Sequence, residues 1–241
     1  MQKIKIQNSV RNGSKDIWNA YMVFGAEFTD NDIPISTRTY RLLPQKLIGF
    51  DDAKSIYKKN IQKDPDFYID AFIHFYIDDQ KFDGKRSSIW LYPESLLEIA
   101  KHFAGVISPD FSTYQDFPLP IKMYNIYRMR SFDFWLELED IVCIHNVRWG
   151  TKETWKYCFD GIPKNSVVAI GTIASSLRNS DSKLLFENGF RKMIEVLSPT
   201  GIVIYGSQNS VVITEAIQRG INVVSFPSKT SLAFKEISNR E

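Results

Sequence analysis

The sequence predicts an α/β fold of parallel strands, arranged as a (β/α) barrel that is either closed or incomplete. The first observation is that short apolar runs alternate with amphipathic segments along most of the 241 residues, the order that parallel strands with helical crossovers require. The second is that about eight such runs can be counted, the number that closes a barrel. The third is that some runs are apolar at nearly every position, as in strands covered on both faces. An open doubly wound sheet is the alternative.

Composition indicates one domain over residues 1–241 and narrows the classes of partner. Basic and acidic side chains nearly balance, 30 against 28, so the chain lacks the strong positive charge with which proteins coat nucleic acid. Cys143 and Cys158 lie in apolar surroundings, which predicts buried free thiols and a reducing compartment. No segment resembles a signal peptide and no apolar run reaches membrane-spanning length, so we expect a cytoplasmic protein without membrane contact.

The N-terminal part, about residues 1–65, is irregular and begins with a polar segment. Tyr21–Phe24 is a short apolar run and predicts a first strand. A second short strand is predicted at Leu47–Phe50. Asp51 or Asp52 follows at once, and its carboxylate oxygen can accept the free amide protons of a first helical turn. We therefore expect a short helix from this point.

From residue 71 onward strands and helices alternate regularly. The predicted strands are short runs of apolar, mostly β-branched or aromatic residues, at Ala71–Ile77, 106–108, Ile141–Val147, Val167–Ile170, Ile202–Tyr205 and Asn222–Phe226. The predicted helices are amphipathic or bounded by proline and glycine, at Pro93–Phe103, Leu119–Leu138, Lys152–Phe159, Asp181–Leu197 and Ser210–Arg219. A polar tail, KEISNRE, closes the chain.

Five segments together resemble a known but uncharacterised family. They are FYIDD (75–79), GVISPDFSTYQDFP (105–118), NIYRMR (125–130), FDGIPKNSVVAIGT (159–172) and YGS (205–207). The family occurs in phages, prophages and other bacterial mobile elements and is catalogued as a domain of unknown function (family 4417). The resemblance implies a phage or mobile-element origin for this chain and implies no activity.

Acidic side chains follow two neighbouring predicted strands, where ligands of parallel sheets bind. Asp78 and Asp79 end the first run, and Asp110 follows Ser108-Pro109 after the next. Three carboxylates at one rim predict either a divalent metal site or a division of acid and base roles. The alternative is that Asp78 or Asp79 caps a turn and that Asp110 forms an Asx turn.

The longest predicted helix offers an anion-binding pair in its early turns. Asn125 and Arg128 are three residues apart and therefore face the same side. The planar fork of Arg128 suits a phosphate or a carboxylate. The alternative is that Arg128 pairs with Asp110 or Asp116 and fixes the loop.

Further ligand-binding candidates follow the later strands. Asn146 ends one strand, and Arg148-Trp149 after it offers a charge and a stacking face, with Trp149 as a core residue as the alternative. The loop containing Gly206, Ser207 and Asn209 joins a strand to a helix, where free amides could hold a phosphate. Ordinary N-capping by Ser207 or Ser210 is the alternative explanation of that loop.

The sequence therefore supports two hypotheses of function. The first is an intracellular phage or mobile-element protein with a site for a phosphorylated small molecule or nucleotide, with a divalent metal as a candidate cofactor. The second is a non-catalytic protein that binds a host or phage protein through aromatic surface, since the chain has 17 Phe, 11 Tyr and 5 Trp. Enzyme and binding protein both remain open at this stage.

Overall fold

A computed structural model of the chain describes residues 15, 17–173 and 180–232. Within these residues seven parallel strands form one sheet, and their order in the sheet is their order in the chain. The sheet is curled into a half-barrel, so the prediction of an α/β, barrel-like and incomplete fold is confirmed. Most of the predicted polar N-terminal segment, residues 1–14 and 16, and the tail KEISNRE lie outside the described residues.

The strands and helices alternate as the sequence predicts, with small differences at their ends. The strands are β1 Leu47–Gly49, β2 Ile69–His74, β3 Phe103–Ile107, β4 Cys143–Asn146, β5 Val167–Gly171, β6 Gly201–Tyr205 and β7 Asn222–Phe226. The α-helices are α1 Phe50–Asn60, α2 Glu94–Ala100, α3 Leu119–Leu138, α4 Ser180–Leu197 and α5 Val211–Gln218. Short 3₁₀ helices lie at Ala20–Val23, Asp79–Lys81 and Lys152–Lys156.

The predicted first strand at Tyr21–Phe24 is wrong, because this run is a single 3₁₀ turn. Asn19 before it adopts a left-handed conformation with φ 51°, and the Phe24 amide donates to the Tyr21 carbonyl at 3.2 Å. Met22 and Val23 are both buried, at 0% and 1% exposure, although they are consecutive. A strand would point them to opposite faces, whereas the turn packs both against α3 and its surroundings.

The sheet separates two apolar clusters, and alternate residues of each strand enter one or the other. The larger cluster lies between the sheet and the helices, and the apolar face of α4 (Phe186, Phe190, Met193, Leu197) is buried in it. The smaller cluster fills the concave side with Ile107, Ile144 and Val203. Leu47 of β1 and Phe226 of β7 pack against this same cluster, so the sheet curls until its two edges share one core.

Two more sequence expectations are settled by the fold. Cys143 and Cys158 are buried free thiols, as predicted. Asp51 and Asp52 lie in the first turn of α1, and the N-cap position is Gly49 rather than either of them. Asp51 Oδ1 nevertheless accepts the Asp52 amide proton at 3.1 Å, one of the free amide protons of that turn. Their charges still favour the positive end of the helix dipole. Among the described residues, no helix is both long enough and apolar enough to cross a lipid bilayer.

Candidate functional site

Asn146 occupies the centre of a polar group on the concave side of the sheet, at the carboxyl ends of the strands. It ends β4, it is fully buried, and its side-chain oxygen accepts a hydrogen bond from the Tyr76 hydroxyl at 2.9 Å. Its amide nitrogen donates to Asp110 Oδ1 at 2.7 Å. Since Tyr76 follows β2, Asp110 follows β3 and Arg148 follows β4, three loops converge here. We call Tyr76, Asp79, Asp110, Asn146 and Arg148 the mouth cluster.

Arg148 is held by only one of its three guanidinium nitrogens. Nη1 donates to Asp110 Oδ2 at 2.7 Å, and both side chains are largely buried, at 21% and 13% exposure. Within the described residues, Nε and Nη2 of Arg148 donate no hydrogen bond. Burial lowers the pKa of Arg148, but the charge and hydrogen bond of Asp110 and the charge of Asp79 outweigh burial and raise it. The mouth cluster therefore contains a fixed cation with donors to spare.

Asp79 lies close enough to this ion pair to interact with it electrostatically. Burial raises the pKa of its carboxyl, the hydroxyl of Ser112 opposes that rise with a hydrogen bond, and the charge of Asp110 adds to it. Arg148 acts in the opposite direction. The structure thus brings Asp79, Asp110 and Arg148 of the predicted site into one charged group.

Asp78 does not belong to that group. Its side chain is exposed, and Oδ1 accepts the Gln80 amide proton at 2.9 Å, which caps the 3₁₀ helix Asp79–Lys81. Asp110 uses its carboxylate on Asn146 and Arg148 rather than on its own loop. Within the described residues, no group of three or more His, Cys, Asp and Glu side chains could hold a metal ion. Two of the three predicted carboxylates therefore have other partners, and a metal site at this rim stays a prediction.

Three aromatic rings, two of them outside the mouth cluster, pack together next to it. The rings of Tyr76 and Tyr205 stack at 5.3 Å with an interplanar angle of 12°, and His74 lies 4.2 Å from Tyr205, measured between centroids. The Tyr76 ring also covers Gly171, where an added Cβ would come within 2.7 Å of it, so only glycine allows this approach. Burial, and to a smaller extent the charge of Lys229, lowers the pKa of His74 to about 4. His74 is therefore neutral at pH 7.

Arg128 and Asn125 support the mouth from the helix side, and the partner of Arg128 is neither Asp110 nor Asp116. Arg128 binds Asp83 through both terminal nitrogens, at 2.8 and 2.9 Å, and donates to Asn125 Oδ1 at 2.7 Å. Its guanidinium also lies 3.8 Å from the ring centre of Phe111. Asn125 in turn donates to the carbonyl of Ser112. These bonds tie the loops after β2 and β3 to α3 and leave no terminal nitrogen of Arg128 free for a ligand.

Trp149 faces away from the mouth and packs against α4. Its ring lies 5.5 Å from that of Phe186 and 6.4 Å from that of Phe190. A Cβ at Gly189 would approach the indole to 2.0 Å, so α4 leaves room for the ring only because residue 189 is glycine. Neighbouring side chains of extended backbone point to opposite faces, which places Arg148 in the mouth and Trp149 in the core. The packing alternative for Trp149 therefore describes its position.

The loop after β6 lies at the same end of the sheet but bonds mainly within itself. Gly206 has φ 121°, and the Thr172 hydroxyl donates to the Ser207 carbonyl at 3.0 Å. The Asn209 amide donates to the Ser207 hydroxyl at 3.1 Å, while Ser210 uses its hydroxyl on Glu187 instead of capping α5. Ser207 and Asn209 are exposed. Among the described residues, this loop has no hydrogen bond to the mouth cluster.

Sequence reasoning missed a buried polar network behind the mouth. Arg130 and Asp133 of α3 are fully buried and paired at 2.6 Å. Ser108 donates to Asp133 and accepts the Asn146 amide proton at 2.9 Å, and Arg130 donates to the Asn146 carbonyl. Groups on the helix side of the sheet thus fix the backbone of Asn146, while its side chain bonds Tyr76 and Asp110 on the concave side. The available signal was an Arg–Asp pair three residues apart within an otherwise apolar helix stretch.

Comparison with known proteins places the chain among phage sequences. A family model described as a domain of unknown function (DUF4417) matches residues 28–226. The “Gene 1 protein” of Mycobacterium phage L5 is 34% identical over 134 residues, 56% of this chain and 56% of that protein. The “Gene 1 protein” of Mycobacterium phage D29 is 30% identical over 134 residues, 56% of this chain and 48% of that protein. The chain spans about half the length of these curated relatives. No solved structure matches the chain at a significant level.

Proposed function

The chain belongs to the DUF4417 family of domains of unknown function, as its motifs predicted, and we propose that this phage-associated protein binds a small anionic ligand at the mouth cluster. The ligand class is a phosphorylated small molecule or a nucleotide. A protein partner and a cytoplasmic location stay predictions from the sequence. The proposal includes no metal, since the described carboxylates do not group as metal ligands.

One observation carries this proposal: Arg148 is a largely buried cation, fixed by Asp110, with uncommitted donors. A guanidinium offers five N–H groups in a planar fork, and Asp110 uses Nη1 alone. Fixing the side chain in advance removes part of the entropy that a free arginine would lose on binding an anion. The position also fits, because ligands of parallel α/β sheets bind where the strands end.

Asp79 is the best candidate in the mouth cluster for proton transfer. Asp110 is committed to Arg148 and Asn146, and Asp78 caps a helix outside the cluster. Burial, and to a smaller extent the charge of Asp110, raises the pKa of Asp79, and carboxyls with a perturbed pKa are typical of catalytic acids and bases. If the protein is an enzyme, we therefore propose Asp79 as its acid or base.

Calorimetric titration with nucleoside phosphates tests the proposal directly. Wild type and Arg148→Gln are titrated with AMP, ATP and inorganic phosphate, and thermal melting establishes that the variant is folded. Arg191→Gln is the matched control, since Arg191 pairs with Glu215 on an exposed face. We expect wild type and control to bind AMP and ATP and Arg148→Gln to lose about tenfold or more in affinity, the scale of one charged hydrogen bond. Absence of binding to wild type, or equal binding by Arg148→Gln, would contradict the proposal.

An exposed apolar patch supports a second candidate function, the binding of a host or phage protein. Ile17, Trp18, Leu91 and Tyr92 are 59%, 52%, 45% and 61% exposed. The two segments that carry them lie next to each other, because the Trp90 indole donates to the Ile17 carbonyl at 2.9 Å. Contiguous exposed apolar side chains of this size are typical of surfaces that bind proteins.

Affinity capture from lysate of phage-infected bacteria tests this second candidate. The double variant Leu91→Ser, Tyr92→Ser removes the patch, and Leu42→Ser removes a separate exposed side chain, 85% accessible, as the control. We expect wild type and the control to capture the same protein and the double variant to lose it. Equal capture by all three proteins, or capture of nothing specific, would contradict a role for the patch.

A further inference from the structure

We infer, on the basis of the proposed anion site, that the ligand carries a vicinal diol beside its phosphate, as ribonucleotides and sugar phosphates do. Arg148 is the one cation of the mouth cluster, and Asp79 and Asp110 flank it with two carboxylates. An ion that brings only negative charge is repelled by this excess of acid. A ligand that also brings hydroxyl donors turns one of those carboxylates into a partner.

Other cations near the mouth do not reverse this balance. Lys81 binds Asp51 at 2.6 Å, and Lys229 binds Asp52 at 2.5 Å and lies 3.7 Å from Asp51. Two lysines therefore face two aspartates, and this side of the half-barrel is close to neutral. The charge that a ligand meets at Arg148 is set by Asp79 and Asp110.

Asp79 has the acceptor capacity that a diol needs. An ionised carboxylate offers about four lone-pair positions, and among the described residues Ser112 is the one side chain whose hydrogen bond lowers the pKa of Asp79. Asp110, in contrast, accepts from Asn146 and Arg148. Carboxylates beside a phosphate site bind ribose hydroxyls in dinucleotide folds, which shows that the combination is chemically sound. In this arrangement Arg148 binds the phosphate and Asp79 accepts from the diol.

The test compares four probes at pH 8: inorganic phosphate, AMP, 2′,3′-dideoxy-AMP and ribose 5-phosphate. The proteins are wild type, Asp79→Asn and the control Asp78→Asn, whose exposed carboxylate caps the neighbouring 3₁₀ turn. We expect wild type to bind AMP at least about tenfold more tightly than dideoxy-AMP, the scale of hydrogen bonds to a charged group. In Asp79→Asn that ratio falls towards one, while inorganic phosphate binds more tightly because a repulsive charge is gone.

Each outcome has a defined meaning. Tight binding of both AMP and ribose 5-phosphate supports the inference with a sugar phosphate as the ligand, and tight binding of AMP alone supports it with a ribonucleotide. Equal binding of AMP and dideoxy-AMP by wild type overturns the diol inference and leaves the anion site standing. An unchanged ratio in Asp79→Asn also overturns it. If no probe binds wild type, the proposed function itself fails.

Discussion

Glu137 and His145 are buried ionisable side chains, and Glu137 accepts hydrogen bonds at Oε2, from the Thr37 and Arg38 amides at 3.3 and 3.5 Å. The exposures of Glu137 and His145 are 4% and 0%, and Glu137 Oε1 lies 3.8 Å from His145 Nε2. Among the residues that the structure describes, Oε1 of Glu137 and both ring nitrogens of His145 have no hydrogen-bond partner. Burial raises the pKa of Glu137 to about 7, helped by the charge of Asp133, and burial lowers the pKa of His145 to about 4. The fold therefore favours the neutral form of both groups.

This pair predicts that stability declines as the pH rises towards neutrality. A carboxyl whose pKa is higher in the folded state contributes stability below its unfolded value of 4.5, and that contribution is lost as the pH passes through about 7. Glu137→Gln keeps the neutral form at every pH and should gain about 2 kcal/mol over wild type between pH 5 and pH 8. Urea unfolding of both proteins at each pH measures this gain.

The comparison isolates Glu137 because His145 is present in both proteins. His145 acts at lower pH: its folded pKa is depressed, so the stability it contributes is lost as the pH falls from about 6.5 towards 4. Glu139→Gln is the control, since Glu139 is exposed and two residues away. Curves for Glu137→Gln and wild type that run parallel from pH 5 to pH 8 would refute the raised pKa.

At the scale of single elements, α3 connects the mouth to the rest of the fold. Its Arg128 is 8% exposed, binds Asp83 with two hydrogen bonds, and holds Asn125 against the loop after β3. Removing one partner of a buried ion pair leaves an uncompensated charge, which costs more than the pair itself contributes. The clamp between Arg128 and Asp83 should therefore be sensitive to single substitutions.

Asp83→Asn should lower the free energy of unfolding by about 3 kcal/mol, because Arg128 then keeps its charge among aromatic rings without a carboxylate. The double variant Asp83→Asn, Arg128→Met removes both charges and should recover part of that loss. Asp116→Asn, at an exposed position of the next loop, is the control. Urea denaturation measures all three. A loss in Asp83→Asn no larger than in the control would show that the clamp contributes nothing to stability.

The sequence predicts the bounds of α3 well, but it predicts poorly which of the helix residues are buried. Pro118 before the helix and Pro120 in its first turn mark the start, so Leu119–Leu138 is predicted with its observed bounds. Hydrophobic periodicity predicts that Leu138 is buried, but Leu138 is 55% exposed. Periodicity also predicts charged residues on the solvent face, whereas Arg130 and Asp133 are fully buried, and only their spacing of three indicates that they pair. Buried charges depend on partners from distant strands, here Ser108 and the Asn146 backbone, and local patterns carry no information about such partners.

The same limit explains which parts of the candidate site could be predicted from the sequence. Strand ends are local features, so Asp79, Asp110, Asn146 and Arg148 could be named from the sequence. Which carboxylate neutralises which cation is a tertiary property, and the Asp83 partner of Arg128 could not be deduced. Tyr76 was missed because it lies within the predicted apolar strand Ala71–Ile77, where a tyrosine resembles a core residue, while its hydroxyl in fact bonds Asn146.

At the scale of the whole molecule, the described sheet has two edges, β1 and β7, where a closed barrel has none. Every residue of β6 is buried, whereas β7 next to it is half-buried along four residues and exposed at Asn222. The curl brings the edges over one concave core without hydrogen bonds between them in the described part of the chain. Backbone amides at the edges therefore depend on fewer partners than those of central strands.

Hydrogen exchange should follow this arrangement. Amides of β5 and β6, which pair on both sides and are buried, should exchange only on global unfolding, and amides of β7 should exchange at least about tenfold faster through local opening. Mass spectrometry of peptic peptides after native-state labelling measures both rates, and mild urea should accelerate β5 and β6 far more than β7. Equal protection of β7 and β5 would mean that the outer edge of β7 is paired in solution, and the barrel would then be closed by a further strand.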